Sequence, residues 1–600
     1  VSTKTFIPGK QAALEDSIAK METLLGQLGF EINAQNVLNP VENIYSQHIY
    51  DTRCRGLFTN GKGACDKACY ASALGEFLER LSTNYFFSDF YLTPKHEQHS
   101  EDWLYYPNEK SIPAGKLDQL LTPELWQFYE QALEEYEDGF EFADFLSLND
   151  HFDRVTALEM HSVKTGDKAF FPMNLLSNLY ASNGLSAGNT ALEAKIQGLS
   201  EIFERWVKNK IFQENLCLPN IPQTLLEQFP SITASIKALQ QTGLDVQVRD
   251  ASLGGKYPVI NVTLIDIKKG RCFASFGAHP IFEVAIERTL TESLQGRHLQ
   301  NLDGFQTPVH DEEMVSEAEN LENHFIDSSG LIHSRFLSQS SDFEFQPWSF
   351  AEDIAEQWQQ LCKLVWEQGT DVWLAQYPQF GFQAIRIIVP GMSEVYPLSE
   401  IVENNQNNGR ALREALFAFD QYPDHSLPAG EFSIELEEIL DVVEQIGASD
   451  HQGVANFIGL MPEPNSFWAQ MNVAQLRFWC YVGLKSWTLA FEQAQDMIFY
   501  LREESEWTTW VKAYMYLYEL LDTQQASIET VQNGGDCDLS SFVAMFDSKT
   551  YESVLAVVKG ESLFAGQDLG RKMFLNSKPH NRLVDIYESL RKAKIEEFSE

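Results

Sequence analysis

The sequence predicts an α+β fold followed by a helical C-terminal third, on three observations. Between residues 45 and 420, short β-branched and aromatic runs are mixed with amphipathic helical stretches, without a regular strand–helix–strand succession. The segment Gln421-Tyr-Pro-Asp-His-Ser-Leu-Pro-Ala-Gly-Glu431 is rich in breakers, and beyond it nearly everything carries helical periodicity. The 600 residues, 44% of them hydrophobic, are ample for about two to four domains. The expected organisation is a helical segment over 1–45 that contributes to a ligand site, an α+β domain over 46–425, and a helical interaction or dimerisation domain over 426–600.

The elements follow in order. Pro8-Gly9-Lys10 opens a helix whose stripe is Leu14, Ile18, Met21, Leu25 and Leu28, stopping before Gly29; Lys10 and Ser17 lie together beside that stripe. Residues 259–267, 271–276, 371–376 and 384–389 are strand candidates of antiparallel character. Helices are expected over 432–446, 473–501 and 507–521, with a turn at Asn533-Gly534-Gly535. Packed pairs of the tetratricopeptide kind suit these lengths, although no clean repeat shows. Trp479, Trp487, Trp507 and Trp510 read as core.

Bulk properties narrow the function. With 44 basic and 86 acidic residues, the formal net charge is −42. A field of that sign repels nucleic acid and anionic membranes, yet leaves room for a local phosphate pocket or a basic protein partner. Residues 1–10 lack the basic start and apolar core of a signal peptide, and no stretch approaches the roughly 18 apolar residues of a membrane span. The eight cysteines are scattered. Cys65-x-x-x-Cys69 with Cys54 has no further ligand nearby and reads as small buried thiols. A cytoplasmic protein is expected.

One phrase recurs: Ser72-x-x-x-Glu76-x-x-Glu79-Arg80, then Glu193-x-x-x-Gln197-x-x-x-Glu201-x-x-Glu204-Arg205, with a variant at Glu283, Glu287, Arg288, Glu292 and Gln295. On a helix, Glu193, Gln197, Glu201 and Glu204 fall within roughly 80° of one another. Ile196, Leu199, Ile202, Phe203 and Trp206 take the other side, as Leu74, Phe77, Leu78, Leu81 and Tyr85 do for the first copy. Each helix thus holds a column of carboxylates outward or into a cavity. If the columns converge, like charges about 4 Å apart repel by ~1 kcal/mol in water and ~4 kcal/mol at an effective dielectric of 20. Such a cluster must raise its pKa values or bind cations. Hard oxygens without a nearby imidazole or thiolate favour Mg²⁺, and the interleaved Arg80, Arg205 and Arg288 suit phosphate. Together they read as a Mg–nucleotide site, against the alternative of two solvated helix faces with i,i+4 pairing.

Rival motifs are weaker. There is no Walker A loop, and Gly61-Lys-Gly63 is not a GxGxxG. Gly184-Leu-Ser186-Ala-Gly188 matches a nucleophile elbow and leaves a serine hydrolase using Ser186 as an alternative, though no histidine downstream carries a motif. Thr190-Ala-Leu-Glu193 is equally a capping box, in which Glu193 closes its own helix.

These strings, with Ser182-Asn-Gly-Leu-Ser-Ala-Gly-Asn189, Phe6-Ile-Pro-Gly-Lys10, the stretch Cys272-Phe-Ala-Ser-Phe-Gly-Ala-His-Pro280 and Ile387-Ile-Val-Pro-Gly-Met392, resemble the YcaO family over almost the full length. The resemblance implies an ATP-binding fold without a P-loop, with ATP and Mg²⁺ as cofactors. By motif position it implies Glu76, Glu79, Glu193, Glu201 and Glu204 as metal ligands. Lys10, Ser17, Ser72, Asn189, Gln197, Arg205, Arg288 and Arg386 would contact ATP. It implies ATP-driven activation of a peptide amide. In the stand-alone bacterial branch it implies a role accessory to β-methylthiolation of ribosomal protein S12, with S12 and its methylthiotransferase as partners and a homodimer. The chain departs from azoline-forming members by ending Arg591-Lys-Ala-Lys-Ile-Glu-Glu-Phe-Ser-Glu600 instead of in a proline-rich tail, which puts cyclodehydration in doubt. A non-catalytic scaffold regulated by ATP is the other reading.

Overall fold

The computed structural model describes residues 4–92, 106–131, 140–150, 153–403, 405, 408–418, 433–501, 505–562 and 571–598. Two compact units emerge, one from Val1–Ser88, Pro94–Asn405 and Ile586–Glu600, the other from Asp89–Thr93 and Gln406–Asp585. The breaker segment 421–431 lies outside the described residues.

Among the described residues of the first unit, every pairing between strands is antiparallel, and Val309 and His333 form an isolated parallel bridge. In the first sheet β1 (Ile32–Ala34), β2 (Leu38–Val41) and β4 (Phe58–Gly63) all pair with β3 (Ile44–Asp51). The second contains β5 (Glu109–Pro113), β6 (Arg154–Ser162), β7 (Lys168–Pro172) and β8 (Leu185–Gly188). The third contains β9 (Asp245–Asp250), β10 (Val259–Asp266) and β11 (Arg271–Ala278) in the order β11-β10-β9. Two late strands, β12 (Trp373–Tyr377) and β13 (Gln383–Ile388), return to the second sheet and set its order as β5-β6-β12-β13-β8, with β7 also on β6.

The third sheet shows why these runs become strands. Ile260, Val262, Leu264 and Phe273 face the core that includes Ile286 and Leu290 of the Phe282–Ser293 helix. Val259, Ala274, Phe276 and Ala278 face the core built on Ile196, Leu199, Ile202 and Phe203 of the Ala191–Gln213 helix. A period of two places alternate side chains on opposite faces, so a strand covered by a helix on each side is apolar throughout. The third sheet therefore sets the Ala191–Gln213 and Phe282–Ser293 helices on its two sides.

Every regular element described in the second unit is a helix, among them Ser433–Gln445, Val473–Gly483, Trp487–Met497, Glu506–Thr523 and Ser548–Val558. Trp479, Trp487 and Trp510 are buried in its core, and Trp507 packs against Phe467 with ring centroids 4.5 Å apart. The single helix expected over 473–501 is two. Lys485 adopts a left-handed backbone (φ 57°) that ends one helix, and the next begins at Trp487. No helix among the described residues is long and apolar enough to cross a membrane.

Candidate functional site

Glu79 and Glu193 are buried, and Glu76, Glu79 and Glu201 of the two columns lie within electrostatic reach of one another. In the Asp66–Ser82 helix, Leu74, Phe77, Leu78 and Leu81 are fully buried, and Glu79 on the other side is itself only 8% exposed. Glycines on the adjacent strand bring this helix close. A Cβ at Gly61 would stand 2.1 Å from Cys69 O, and one at Gly63 would stand 2.6 Å from Cys69 N. Lys62 between them projects to the opposite face of β4.

At the N-terminus of the Ala191–Gln213 helix, Glu193 is 4% exposed and gathers three donors. Lys10 Nζ donates to its Oε1 at 2.9 Å, Gln11 N to its Oε2 at 3.2 Å, and Asn189 Nδ2 lies 3.3 and 3.2 Å from the two oxygens. Ser17 Oγ in turn donates to Asn189 Oδ1 at 2.8 Å. Thr190 caps the helix by accepting from Glu193 N at 3.2 Å. The cap is real, but it uses the backbone of Glu193 and leaves the carboxylate for Lys10, Gln11 and Asn189. One turn on, Arg288 Nη1 donates to Gln197 Oε1 at 2.5 Å.

Further along the same helix Arg205 Nη2 pairs with Glu201 Oε1 at 3.2 Å, and the guanidinium lies 4.1 Å over the Phe325 ring. Opposite, Arg80 reaches Glu76 at 3.3 Å and Glu79 at 3.5 Å, and stacks 4.4 Å from the Tyr85 ring centre. The electrostatics join the two halves. Burial pushes the Glu79 carboxyl up to about 8, Arg80 opposes that shift, and Glu76 and Glu201 reinforce it. Burial lowers the Lys62 ammonium to about 8 against the pull of Glu204, Glu201 and Glu76, with Arg288 acting as a repelling neighbour. Burial also lowers Arg386 on β13, which donates to Ala181 O at 3.3 Å and feels Arg80. His279, pushed down to about 3 by burial and then by Arg288 and Lys10, is a neutral imidazole at the edge of the site. Ser72 lies one turn before Glu76 on the same helix.

Two features escaped sequence reasoning. Lys62 pairs with Glu292 and belongs to the cluster, and the signal was a lysine set between two glycines. Tyr85 lies past the end of its helix, under Arg80, instead of on the apolar face. Arg288 and Glu292, both in the third copy of the phrase read from the sequence, reach Gln197 and Lys62 respectively. The hydrolase reading fails on geometry, because Ser186 is 1% exposed and its hydroxyl donates to Ala194 O at 2.6 Å. All eight cysteines are free thiols.

The donor set suits a hard cation with a phosphate ligand. The carboxylates offer only oxygen, the buried Nη1 of Arg205 has no hydrogen-bond acceptor, and that of Arg80 has only the ion pair with Glu79 at 3.5 Å. Among the described residues no three carboxylate, imidazole or thiolate groups already enclose a metal position. Lys10, Lys62 and Arg205 instead each pair with one carboxylate, and Arg80 pairs with two.

Comparison with known proteins adds to this geometry. Residues 60–393 match the family model described as YcaO cyclodehydratase, ATP- and Mg2+-binding, and residues 409–596 match the YcaO cyclodehydratase C-terminal domain. The chain is 39% identical over 609 residues to the ribosomal protein S12 methylthiotransferase accessory factor YcaO of Escherichia coli (strain K12), covering 99% of each. It is also 39% identical over 611 residues to an uncharacterized protein of Haemophilus influenzae, covering 100% of each. Among solved structures it is similar to YcaO from Methanopyrus kandleri bound with AMPPCP and Mg2+, at 18% identity and TM-score 0.39, over 65% of this chain and 93% of that one. A heterocyclase in complex with substrate and cofactor matches at 16% identity and TM-score 0.43, over 65% and 54%. ATP and Mg²⁺ are the ligands of this domain type. With both domain models and full-length relatives agreeing, the chain belongs to the YcaO family.

Proposed function

We propose that this chain binds Mg–ATP along the Ala191–Gln213 helix and uses it to activate a peptide amide, in a role accessory to methylthiolation of ribosomal protein S12. The observation that carries the reading is that Glu76, Glu201 and Glu204 all act on Lys62, with Glu79 close to Glu76 and Glu201 and a buried Arg205 nitrogen that has no hydrogen-bond acceptor. Glu76, Glu79, Glu193, Glu201 and Glu204 would hold Mg²⁺. Lys10, Ser17, Ser72, Asn189, Gln197, Arg205, Arg288 and Arg386 would hold the nucleotide. ATP, when bound, supplies a phosphoryl group that turns an amide oxygen into a leaving group. This chain's part is positional and electrostatic. Arg80 and Arg205 exchange a carboxylate for phosphate oxygen, while Lys10 and Arg288 fix the polar groups at the helix start. From Glu193 to Glu204 the helix rises about 16 Å, so its two ends serve separate parts of an extended ligand.

The helical second unit favours an additional scaffold role, offering surface to a second copy or to the methylthiotransferase. Calorimetric titration of ATP with Mg²⁺, on wild type and Glu201→Ala, tests the site. Saturable binding that the variant loses supports it, and absence of binding to folded wild type refutes it. ATP turnover in the presence of S12 then separates catalysis, which requires hydrolysis, from scaffolding, which requires binding alone.

A further inference from the structure

We infer that Lys594, near the far end of the chain, is a positioning residue for the Mg–ATP site, acting through the turn that follows the Asp66–Ser82 helix. The inference rests on the site reading above and adds a component from outside every recurring phrase. Lys594 is fully buried; its Nζ donates to Ser82 O at 3.2 Å and to Asn84 Oδ1 at 3.0 Å. Ser82 is the last residue of the helix that carries Glu76 and Glu79, and its carbonyl is one that the helix leaves without an internal partner. Asn84 stands in the left-handed region (φ 56°, ψ 19°), the conformation that reverses the chain after the helix.

A short relay leads from that turn to the site. Asn84 O accepts from Phe87 N at 2.9 Å, and the intervening turn presents Tyr85 beneath Arg80, 4.4 Å from ring centre to guanidinium. Arg80 in turn holds Glu76 and Glu79. The Lys578–Phe598 helix, which carries Lys594, fixes the same turn a second time, since Tyr587 packs edge-on against Phe87 at 5.4 Å. An ammonium shut away from water is an expensive way to fill core volume, and an apolar residue would fill it at no electrostatic cost. What the lysine supplies that an apolar residue cannot is a pair of donors aimed at one carbonyl and one left-handed asparagine. Those donors set where Tyr85, and so Arg80, can stand.

Lys594→Met keeps the volume and removes the donors. The expected result is a folded protein whose Mg–ATP affinity in calorimetry falls roughly 10-fold, the scale on which residues behind a metal site act. Amide hydrogen exchange over residues 83–88 should rise in the same variant. Tyr85→Leu should weaken binding similarly, and the double variant should be no weaker than either single one, because both cut one relay. Unchanged affinity or unchanged exchange in Lys594→Met overturns the inference, as does additivity in the double variant. If Lys594→Met does not fold, Asn84→Gly takes its place: it keeps the left-handed turn, loses the lysine's side-chain acceptor and must show the same loss of affinity. Wild type that fails to bind Mg–ATP would refute the site itself and this inference with it. Wild-type binding that the variants leave intact would refute only the relay.

Discussion

A carboxylate withdrawn from water keeps its charge only beside donors, and Glu193 and Glu79 are supplied differently. Glu193 takes an ammonium, a backbone N–H and an amide side chain, whereas Glu79 leans on Arg80 and is pushed up to about 8 by burial. Lys10→Met strips the ammonium from Glu193. It should cost about 1–3 kcal/mol of stability, the worth of a charged hydrogen bond partly open to solvent, measured by urea unfolding. Glu76→Ala and Glu204→Ala remove side chains whose carboxylates serve the cluster and pack no core. Both should abolish Mg–ATP binding in calorimetry while shifting the melting temperature by no more than about 2 °C. Unfolding of these two variants in buffer would mean that the glutamates are structural.

At the scale of elements, the site depends on how closely β4 lies against the Asp66–Ser82 helix. Gly61→Ala would force a methyl to within 2.1 Å of Cys69 O, so the strand must move. A loss of about 1–3 kcal/mol is expected on thermal unfolding, with weaker Mg–ATP binding because Lys62 moves with its strand. Leu78→Ala, at a fully buried position on the apolar face, should cost about 2–5 kcal/mol and serves as the purely structural comparison. The faces of both glutamate helices were legible in the sequence because a 3.6-residue period separates carboxylates from aliphatic side chains over several turns. The end of the first helix was not. Asn84 adopts its left-handed turn without a glycine or proline to announce it, and Tyr85 was therefore assigned to the wrong face. Lys62 was invisible for a related reason: its partners lie on three separated helices, and only the sheet brings them to one place.

For the whole molecule, buried histidines set a limit on acid tolerance. His324 is fully buried, stacks 4.1 Å from Phe212, and holds Nε2 3.0 Å from Leu331 O, so Nε2 carries the proton. Nδ1 has no partner, and burial pushes the imidazole down to about 3 from its ordinary 6.5. The unfolded chain therefore binds a proton below pH 6.5 that the folded chain refuses until about pH 3. Stability falls with pH across that window by about 1.4 kcal/mol per pH unit from this group. His324→Gln, which keeps a donor for Leu331 O, should be less stable than wild type at pH 7.5, and the gap should narrow as pH drops to 5. A gap that stays constant in urea titrations at the two pH values would show that His324 does not titrate on unfolding.

The contact of Lys594 with Ser82 O joins residues 512 positions apart. A ribosome adding roughly 5–20 residues per second makes the serine about half a minute or more before the lysine that will hold it. Through that interval Ser82 O and Asn84 Oδ1 are without the lysine that donates to both in the finished fold. Completion of the turn beneath Arg80 is thus a late event in the life of a nascent chain, timed by translation itself.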